Sequence, residues 1–159
     1  VAVCGKYGEY KGAKQMASGG LILRYYKPEP STDPDPSPTP SIDFLLDSSL
    51  GLDNGTEVTS FTSDGITVTF DKGSNTYAPK YYSSGDAVRV YGGGTITVSG
   101  AEMSNIAFTF GSGDGSNEIT ADNGTYADGK WEGSASSVIF TVNGTSGHRR
   151  FAKISVTKK

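Results

Sequence analysis

The sequence is poor in the residues that most often carry chemistry. It contains one cysteine, one histidine and one tryptophan, and charged residues make up 19% of the chain, below the usual ~25%. The single cysteine, Cys4, excludes an internal disulfide and a cysteine-rich zinc site. No apolar run approaches the ~18 residues that a membrane-spanning helix needs. We therefore predict that this segment does not insert into a membrane.

Catalysis has few candidate residues. The only histidine, His148, lies in the turn "GTSGHRRF", where two neighbouring arginines would hold it neutral and make it a weak base partner. Most acidic residues fall in turns, where capping and solvation account for them. We predict a protein that is not an enzyme and that uses no metal and no cofactor. The residues leave two alternatives open, a carboxylate pair of the glycosidase kind and a structural Ca²⁺ between strand ends.

What the sequence has in abundance is glycine, with 22 residues, about twice the usual ~7%. From residue 42 onward, apolar and polar residues alternate in short segments such as "GITVTF", "AVRVY", "TITVSG", "NIAFTF", "SVIFTV" and "AKISVTK". Turn signals such as Asn-Gly, Asp-Gly and Gly-Gly separate these segments. The pattern predicts an all-β fold of about eight to ten antiparallel strands, arranged as a two-sheet β-sandwich that is jelly-roll-like or immunoglobulin-like.

Composition divides the chain into three segments. Residues 28–41 fall within "KPEPSTDPDPSPTPS", which holds six of the seven prolines and predicts an extended linker of up to ~45 Å at ~3.1 Å per residue. Residues 1–27 carry a net charge of +4, whereas residues 42–159 carry −4. A basic head before an acidic body indicates two units of different origin. We predict a strand fragment, a proline-rich linker and a β-sandwich domain, with these boundaries.

Residues 1–27 have the pattern of two or three short antiparallel strands, with a turn in "EYKGAK". So few strands cannot form a stable core alone, and they must pair with the body or with a neighbouring chain. The motif V-x-G-K-x-G-x-Y-x-G-x-x-Q in "VCGKYGEYKGAKQ" resembles the closing strands of OB-fold domains in multidomain secreted proteins of Gram-negative gut bacteria. This resemblance covers about one sixth of the chain and implies an OB-like segment without the earlier OB strands.

Five residues of the body are candidates for a ligand site. Strand alternation in "AVRVY" turns the valines toward the core and places Arg89 and Tyr91 on the opposite face. One residue of the pair Tyr81 and Tyr82 can lie beside them, since the two point to opposite faces. Trp131, in the glycine-bounded "DGKWEG", would add an exposed aromatic platform. Aromatic rings with nearby polar groups are the chemistry of a sugar-binding site.

A packing role is the alternative for the same residues. Arginine over tyrosine is a common packing pair, and Trp131 would then plug one end of the sandwich. A buried Arg89 would need a carboxylate partner such as Asp86 and would be structural.

The segments "APKYYSSGDAVRVYGGGTITVSG", "IAFTF" and "GKWEGSASSVIFTVNGTSGHRRFAKISVT" resemble a C-terminal β-sandwich domain that recurs in the same secreted bacterial proteins. The resemblance runs from about residue 66 to the end and is most specific in Tyr77–Tyr91 and Trp131–Ile154. It implies a β-sandwich fold and a secreted or cell-surface, outer-membrane-associated location. It implies no catalytic residues.

Together, these features predict a non-catalytic accessory β-sandwich module of an extracellular or cell-surface bacterial protein, which binds carbohydrate or another extracellular polymer. The less favoured alternative is a nucleic-acid-binding or nuclease-associated protein that acts through the OB-like N-terminal part, with the sandwich as a structural spacer. Salt separates the two hypotheses, because phosphate contacts weaken steeply as salt rises, whereas sugar stacking hardly changes.

Overall fold

The computed structural model describes the backbone of residues 7–10 and 13–16 and the whole of residues 40–159. The chain divides into two units, residues 1–37 and 38–159. In the first unit, β1 (Tyr7–Tyr10) and β2 (Ala13–Met16) pair antiparallel, as the sequence predicts. The predicted linker up to residue 39 and the rest of the OB-like segment lie outside the described residues. The three-segment division of the chain stays a prediction.

Within residues 40–159, the second unit contains ten strands and one turn of 3-10 helix, Ser48–Leu50. No helix in this part of the chain is both long enough and apolar enough to cross a bilayer. The strands are β3 (Ser41–Leu45), β4 (Ser60–Ser63), β5 (Ile66–Asp71), β6 (Lys80–Tyr82), β7 (Ala87–Tyr91), β8 (Thr95–Phe110), β9 (Ile119–Ala121), β10 (Thr125–Ala127), β11 (Lys130–Val142) and β12 (His148–Lys158).

These ten strands pair antiparallel in one sheet, whose main path runs β10-β11-β8-β12-β7-β6. Beside this path, β3 pairs with β12, β9 pairs with β11, and β5 joins β4 to β8. The prediction of an all-β antiparallel fold is confirmed. The arrangement differs from the one expected, because a single sheet curls into a half-barrel rather than forming a clear two-sheet sandwich.

The curl depends on long strands that change partner along their length. β8 pairs with β5 through Thr95–Gly100 and with β12 through Met103–Phe110. Between these halves, Gly100 has a φ of 137°, and a Cβ atom there would overlap the carbonyl oxygen of Gly65. The neighbouring β11 has register irregularities on both sides of Ala135, and such bulges bend a strand. The sequence pattern predicts two separate strands in "TITVSG" and "NIAFTF". In the structure they are the two halves of one bent strand, β8.

One face of the curled sheet carries a continuous apolar core. Phe108 packs edge-on against two other rings, with centroids 4.8 Å from Phe140 and 5.1 Å from Phe151, a favourable geometry for aromatic pairs. The inward positions that alternation predicts in the six segments are buried, except for Phe110 and Ala152, which are half-buried. The buried ones are Ile66, Val68, Phe70, Val88, Val90, Ile96, Val98, Ile106, Phe108, Val138, Phe140, Val142, Ile154 and Val156.

The first and last strands of this unit are direct neighbours. β3 pairs with the second half of β12, with Ser41 opposite Thr157 and Leu45 opposite Lys153. The two ends of the unit therefore lie at the same end of one strand pair.

Candidate functional site

The five predicted site residues lie in two different environments. Tyr82, Arg89 and Tyr91 are half-buried on the face of β6 and β7 that points away from the core. Tyr81 is only 3% exposed and Trp131 is fully buried, so both belong to the core. Tyr82 is thus the member of the tyrosine pair that lies near Arg89.

The expectation that Trp131 forms an exposed platform is corrected by its burial. Its indole Nε1 donates to the carbonyl oxygen of Asn123 at 2.7 Å, as a buried tryptophan usually requires. Gly124 and Gly133 lie so close to the ring that a Cβ atom on either would overlap it. Glycine at these two positions therefore makes room for the indole.

Pairing with β12 brings further side chains to this face. Arg150 lies opposite Arg89, and His148 lies opposite Tyr91. On the other side, Lys80 of β6 lies opposite Arg89, and directly paired residues share one face of a sheet. We call the resulting surface the tyrosine–arginine face; it consists of Tyr77, Lys80, Tyr82, Arg89, Tyr91, His148 and Arg150.

The aromatic residues of the tyrosine–arginine face form a contiguous group. The ring centroids of Tyr77 and Tyr91 are 5.5 Å apart, and those of Tyr91 and His148 are 6.4 Å apart. The hydroxyl oxygens of Tyr82 and Tyr91 lie 3.0 Å from each other and share a hydrogen bond. Tyr77 is 66% exposed, so the group is open to solvent on the Tyr77 side.

Tyr77 separates two shallow clefts. One cleft, of about 380 Å³, also contacts Tyr91, Thr145 and Ser146. The other, of about 440 Å³, also contacts Glu57 and Lys80. Both clefts are open to solvent, and Tyr77 contributes to the lining of each.

The two arginines of this face have no carboxylate partner among the described residues. The side chain of Arg89 makes no hydrogen bond or ion pair with them, and its Cζ lies 4.2 Å from the ring centroid of Tyr82. Arg150, 9% exposed, donates from Nη1 to the carbonyl oxygen of Ser112 at 3.0 Å. The Nε atoms of both arginines are buried without a partner. Asp86, the partner that a structural role for Arg89 would need, instead accepts from the Tyr81 hydroxyl at 3.0 Å.

Arg149, between His148 and Arg150 in the chain, has the opposite environment. The Asp114 carboxylate accepts from its Nε at 2.9 Å and from its Nη2 at 2.8 Å, and the Asn117 carbonyl accepts from its Nη1 at 2.8 Å. Asp114 also accepts from the backbone N–H of Arg150 at 2.6 Å. The fully paired Arg149 shows that the missing partners of Arg89 and Arg150 are a local property of the tyrosine–arginine face.

Two ionisable groups of the face, His148 and Tyr82, have pKa values shifted toward their uncharged forms. Burial lowers the pKa of His148, and the nearby Arg89 and Arg150 charges lower it further, while a hydrogen bond to the Gly113 carbonyl and the Asp114 charge act the other way. The hydrogen bond to Tyr91, followed by burial, raises the pKa of Tyr82. At neutral pH the Tyr82 hydroxyl and the His148 imidazole therefore offer neutral hydrogen-bonding groups beside the positive charges of the arginines.

The lowered pKa of His148 predicts a pH dependence of stability. Because the unfolded chain has a histidine pKa near ~6.5 and the folded value lies below it, protonation favours unfolding. We expect stability to be complete above pH ~6.5 and to fall as the pH decreases from there toward the folded pKa. Urea-unfolding midpoints measured between pH ~7.5 and ~5.5 give the slope of stability against pH. His148→Gln should flatten it, and equal slopes for the two proteins would contradict the assignment.

A comparison with protein-family models, curated proteins and solved structures finds no match to this chain. In the described part of the chain, no group of three or more histidine, cysteine, aspartate or glutamate residues is placed to hold a metal ion. The resemblances to gut-bacterial domains stay predictions.

Sequence reasoning missed four members of the face, Tyr77, Lys80, His148 and Arg150. Alternation through "HRRF" does predict that His148 and Arg150 share one side and that Arg149 takes the other. It does not predict that β12 pairs with β7, because strand pairing depends on the whole topology. Tyr77 lies in the loop before β6, where alternation gives no signal.

Proposed function

We propose that the chain is a non-catalytic binding module of an extracellular or cell-surface bacterial protein, and that it binds a carbohydrate polymer through the tyrosine–arginine face. The observation that carries the proposal is Tyr77, whose ring is 66% exposed beside Tyr91 and a cleft. A large ring in this position gains from being covered by an apolar surface. The C–H face of a sugar ring is such a surface, and its hydroxyls need the polar neighbours that this face provides.

The rest of the face suits recognition of sugar hydroxyls. The hydroxyls of Tyr82 and Tyr91, already hydrogen-bonded to each other, and the neutral imidazole of His148 can donate to and accept from a ligand. All three residues lie on paired strands of the sheet. Groups on strands are held in place before the ligand arrives, which lowers the entropy cost of binding.

The domain context is part of the same proposal. We assign the body to the C-terminal jelly-roll-like modules of secreted proteins of Gram-negative gut bacteria, with the two halves of the curled sheet in place of the two layers of a sandwich. The two segments with the most specific resemblance, Tyr77–Tyr91 and Trp131–Ile154, contain all seven residues of the tyrosine–arginine face. This coincidence supports a shared binding role for the segments.

The test is a screen of the full chain against an array of soluble and immobilised polysaccharides, followed by calorimetric titration with each glycan that binds. We expect Tyr77→Ala to weaken binding about tenfold, because one stacked ring contributes ~0.5–1.5 kcal/mol beyond its area. Ile139→Ala is the matched control, since it removes another exposed apolar side chain, 40% exposed on β11, a strand that pairs with none of the strands of the face. Its affinity should equal that of the parent.

Two outcomes would contradict the proposal. In the first, the protein binds no glycan on the array. In the second, the Tyr77→Ala variant binds its glycan as tightly as the parent does. Single-stranded DNA that binds better than any glycan would favour the nucleic-acid alternative instead.

A further inference from the structure

The tyrosine–arginine face holds three cations in one row across three strands. Lys80, Arg89 and Arg150 are successive cross-strand partners on β6, β7 and β12. Directly opposite residues have Cβ atoms about 4.5–5.5 Å apart, and like charges there repel each other. No carboxylate of residues 40–159 forms an ion pair with any of the three. Glu57 pairs with Lys80 at the outer end of the row without forming an ion pair, so the two arginines keep their mutual repulsion, which a bound anion would reduce.

The two arginines are held in position but keep donors for a ligand. The Arg89 guanidinium lies over Tyr82, and Arg150 is fixed by the Ser112 carbonyl. Their Nε atoms are buried without a partner, and Nη1 and Nη2 of Arg89 and Nη2 of Arg150 make no hydrogen bond to described residues. Terminal guanidinium nitrogens are strong donors to oxyanions. Arg149 lies in the same strand as Arg150 and binds the carboxylate of Asp114. A carboxylate is thus the kind of partner that such donors take.

We infer that this row binds the acidic group of an anionic saccharide, either the carboxylate of a uronic acid or a sulfate ester. The inference rests on the proposed function, because it names the class of carbohydrate that the same face takes. Tyr77 and Tyr91 would stack on the sugar, and the cations lie beside these rings on the same face. Carboxylate and sulfate share the oxyanion chemistry that arginine recognises, so the experiment includes both.

A nucleic acid fits this row less well than an acidic glycan. Each nucleotide of a nucleic acid carries a charge, about one per 3.4 Å of each strand of a duplex, and binding usually needs a basic groove that follows the backbone. Here three cations lie in one row, and residues 42–159 carry a net charge of −4. The face therefore offers one place for an acidic group rather than a basic groove that follows a phosphate backbone.

The experiment titrates the full chain with acidic polymers and their neutral counterparts. The probes are polygalacturonate and its fully methyl-esterified form, alginate, dextran sulfate and unmodified dextran, and an oligothymidylate. We expect at least one acidic polysaccharide to bind at least about tenfold more tightly than the neutral polymers.

Arg89→Gln and Arg150→Gln should each remove this preference, whereas Lys130→Gln, which removes the same charge from β11, should keep it. Binding of the carboxylated or of the sulfated polymers then identifies the acidic group.

Thermal unfolding of the variants separates binding from a structural role. Since the side chain of Arg89 makes no hydrogen bond with the described residues and faces two like charges, we expect Arg89→Gln to melt near the parent temperature, because relief of the repulsion offsets the lost stacking on Tyr82. A clear decrease would assign Arg89 to structure and overturn the inference. Neutral polymers that bind as tightly as acidic ones, with a loss in Tyr77→Ala, would also overturn it while leaving the proposed function intact. If no polysaccharide binds, both the proposed function and this inference are rejected. Preferential binding of oligothymidylate would reject a saccharide as the ligand of the row.

Discussion

Replacement of Trp131 with alanine should lower the free energy of unfolding by about 3–5 kcal/mol. The indole is fully buried, so its removal leaves a large cavity, and the Asn123 carbonyl loses the hydrogen bond that it accepts at 2.7 Å. A loss of this size is a large part of the ~5–15 kcal/mol that stabilises a typical domain. Urea unfolding of the full chain, followed by far-ultraviolet circular dichroism, measures the change as a lower midpoint at an unchanged slope.

Two further variants sharpen this prediction. Trp131→Phe keeps a ring in the core but loses the donor to Asn123, so we expect a smaller destabilisation than for alanine. Tyr77→Ala removes a ring that is 66% exposed and should change stability by less than ~0.5 kcal/mol. A Trp131→Ala variant as stable as the parent, but defective in glycan binding, would show that the indole is a surface platform after all.

Replacement of Gly100 with alanine should lower the free energy of unfolding by roughly 2–4 kcal/mol. Two costs combine at this position. Its φ of 137° belongs to a region that residues with a Cβ atom avoid. The added Cβ would also overlap the Gly65 carbonyl, and backbone on both sides would have to move. Since Gly100 lies where β8 changes partners, the strain falls on the bend of the sheet.

Gly51→Ala is the matched control for this prediction. Gly51 has a φ of 64°, and a Cβ atom there would meet nothing within 4 Å. Its substitution therefore isolates the cost of a positive φ, about 1 kcal/mol, from the cost of the overlap. Urea unfolding of both variants gives the difference. Equal losses for Gly51→Ala and Gly100→Ala would mean that the close approach to Gly65 contributes nothing.

Sequence reasoning predicted the strands well because their pattern is local. Alternation in "AVRVY" is enough to place Val88 and Val90 in the core and Arg89 and Tyr91 outside it, and the structure confirms both. The same reasoning separated the two halves of β8, because a strand that bends at Gly100 loses its regular alternation there. A bend of this kind depends on the approach of Gly65, which is far away in the sequence.

The candidate site could be predicted only in part, for a related reason. Tyr82, Arg89 and Tyr91 lie on neighbouring strands joined by a short turn, so their proximity follows from the sequence. Arg150 reaches them through the β7–β12 pairing, which no local pattern encodes. The absence of a carboxylate beside Arg89 was equally hidden, because Asp86 is close in sequence but accepts from Tyr81.

The pairing of β3 with β12 determines how this unit would respond to a pulling force. Ser41 lies opposite Thr157, so tension between the two ends of the unit acts at one end of a single strand pair. The hydrogen bonds between antiparallel strands run perpendicular to the strands and therefore along the direction of pull. They break one after another, starting at Ser41, rather than sharing the load. β3 thus peels away first and uncovers Phe44, while the strands that carry the tyrosine–arginine face are loaded only afterwards.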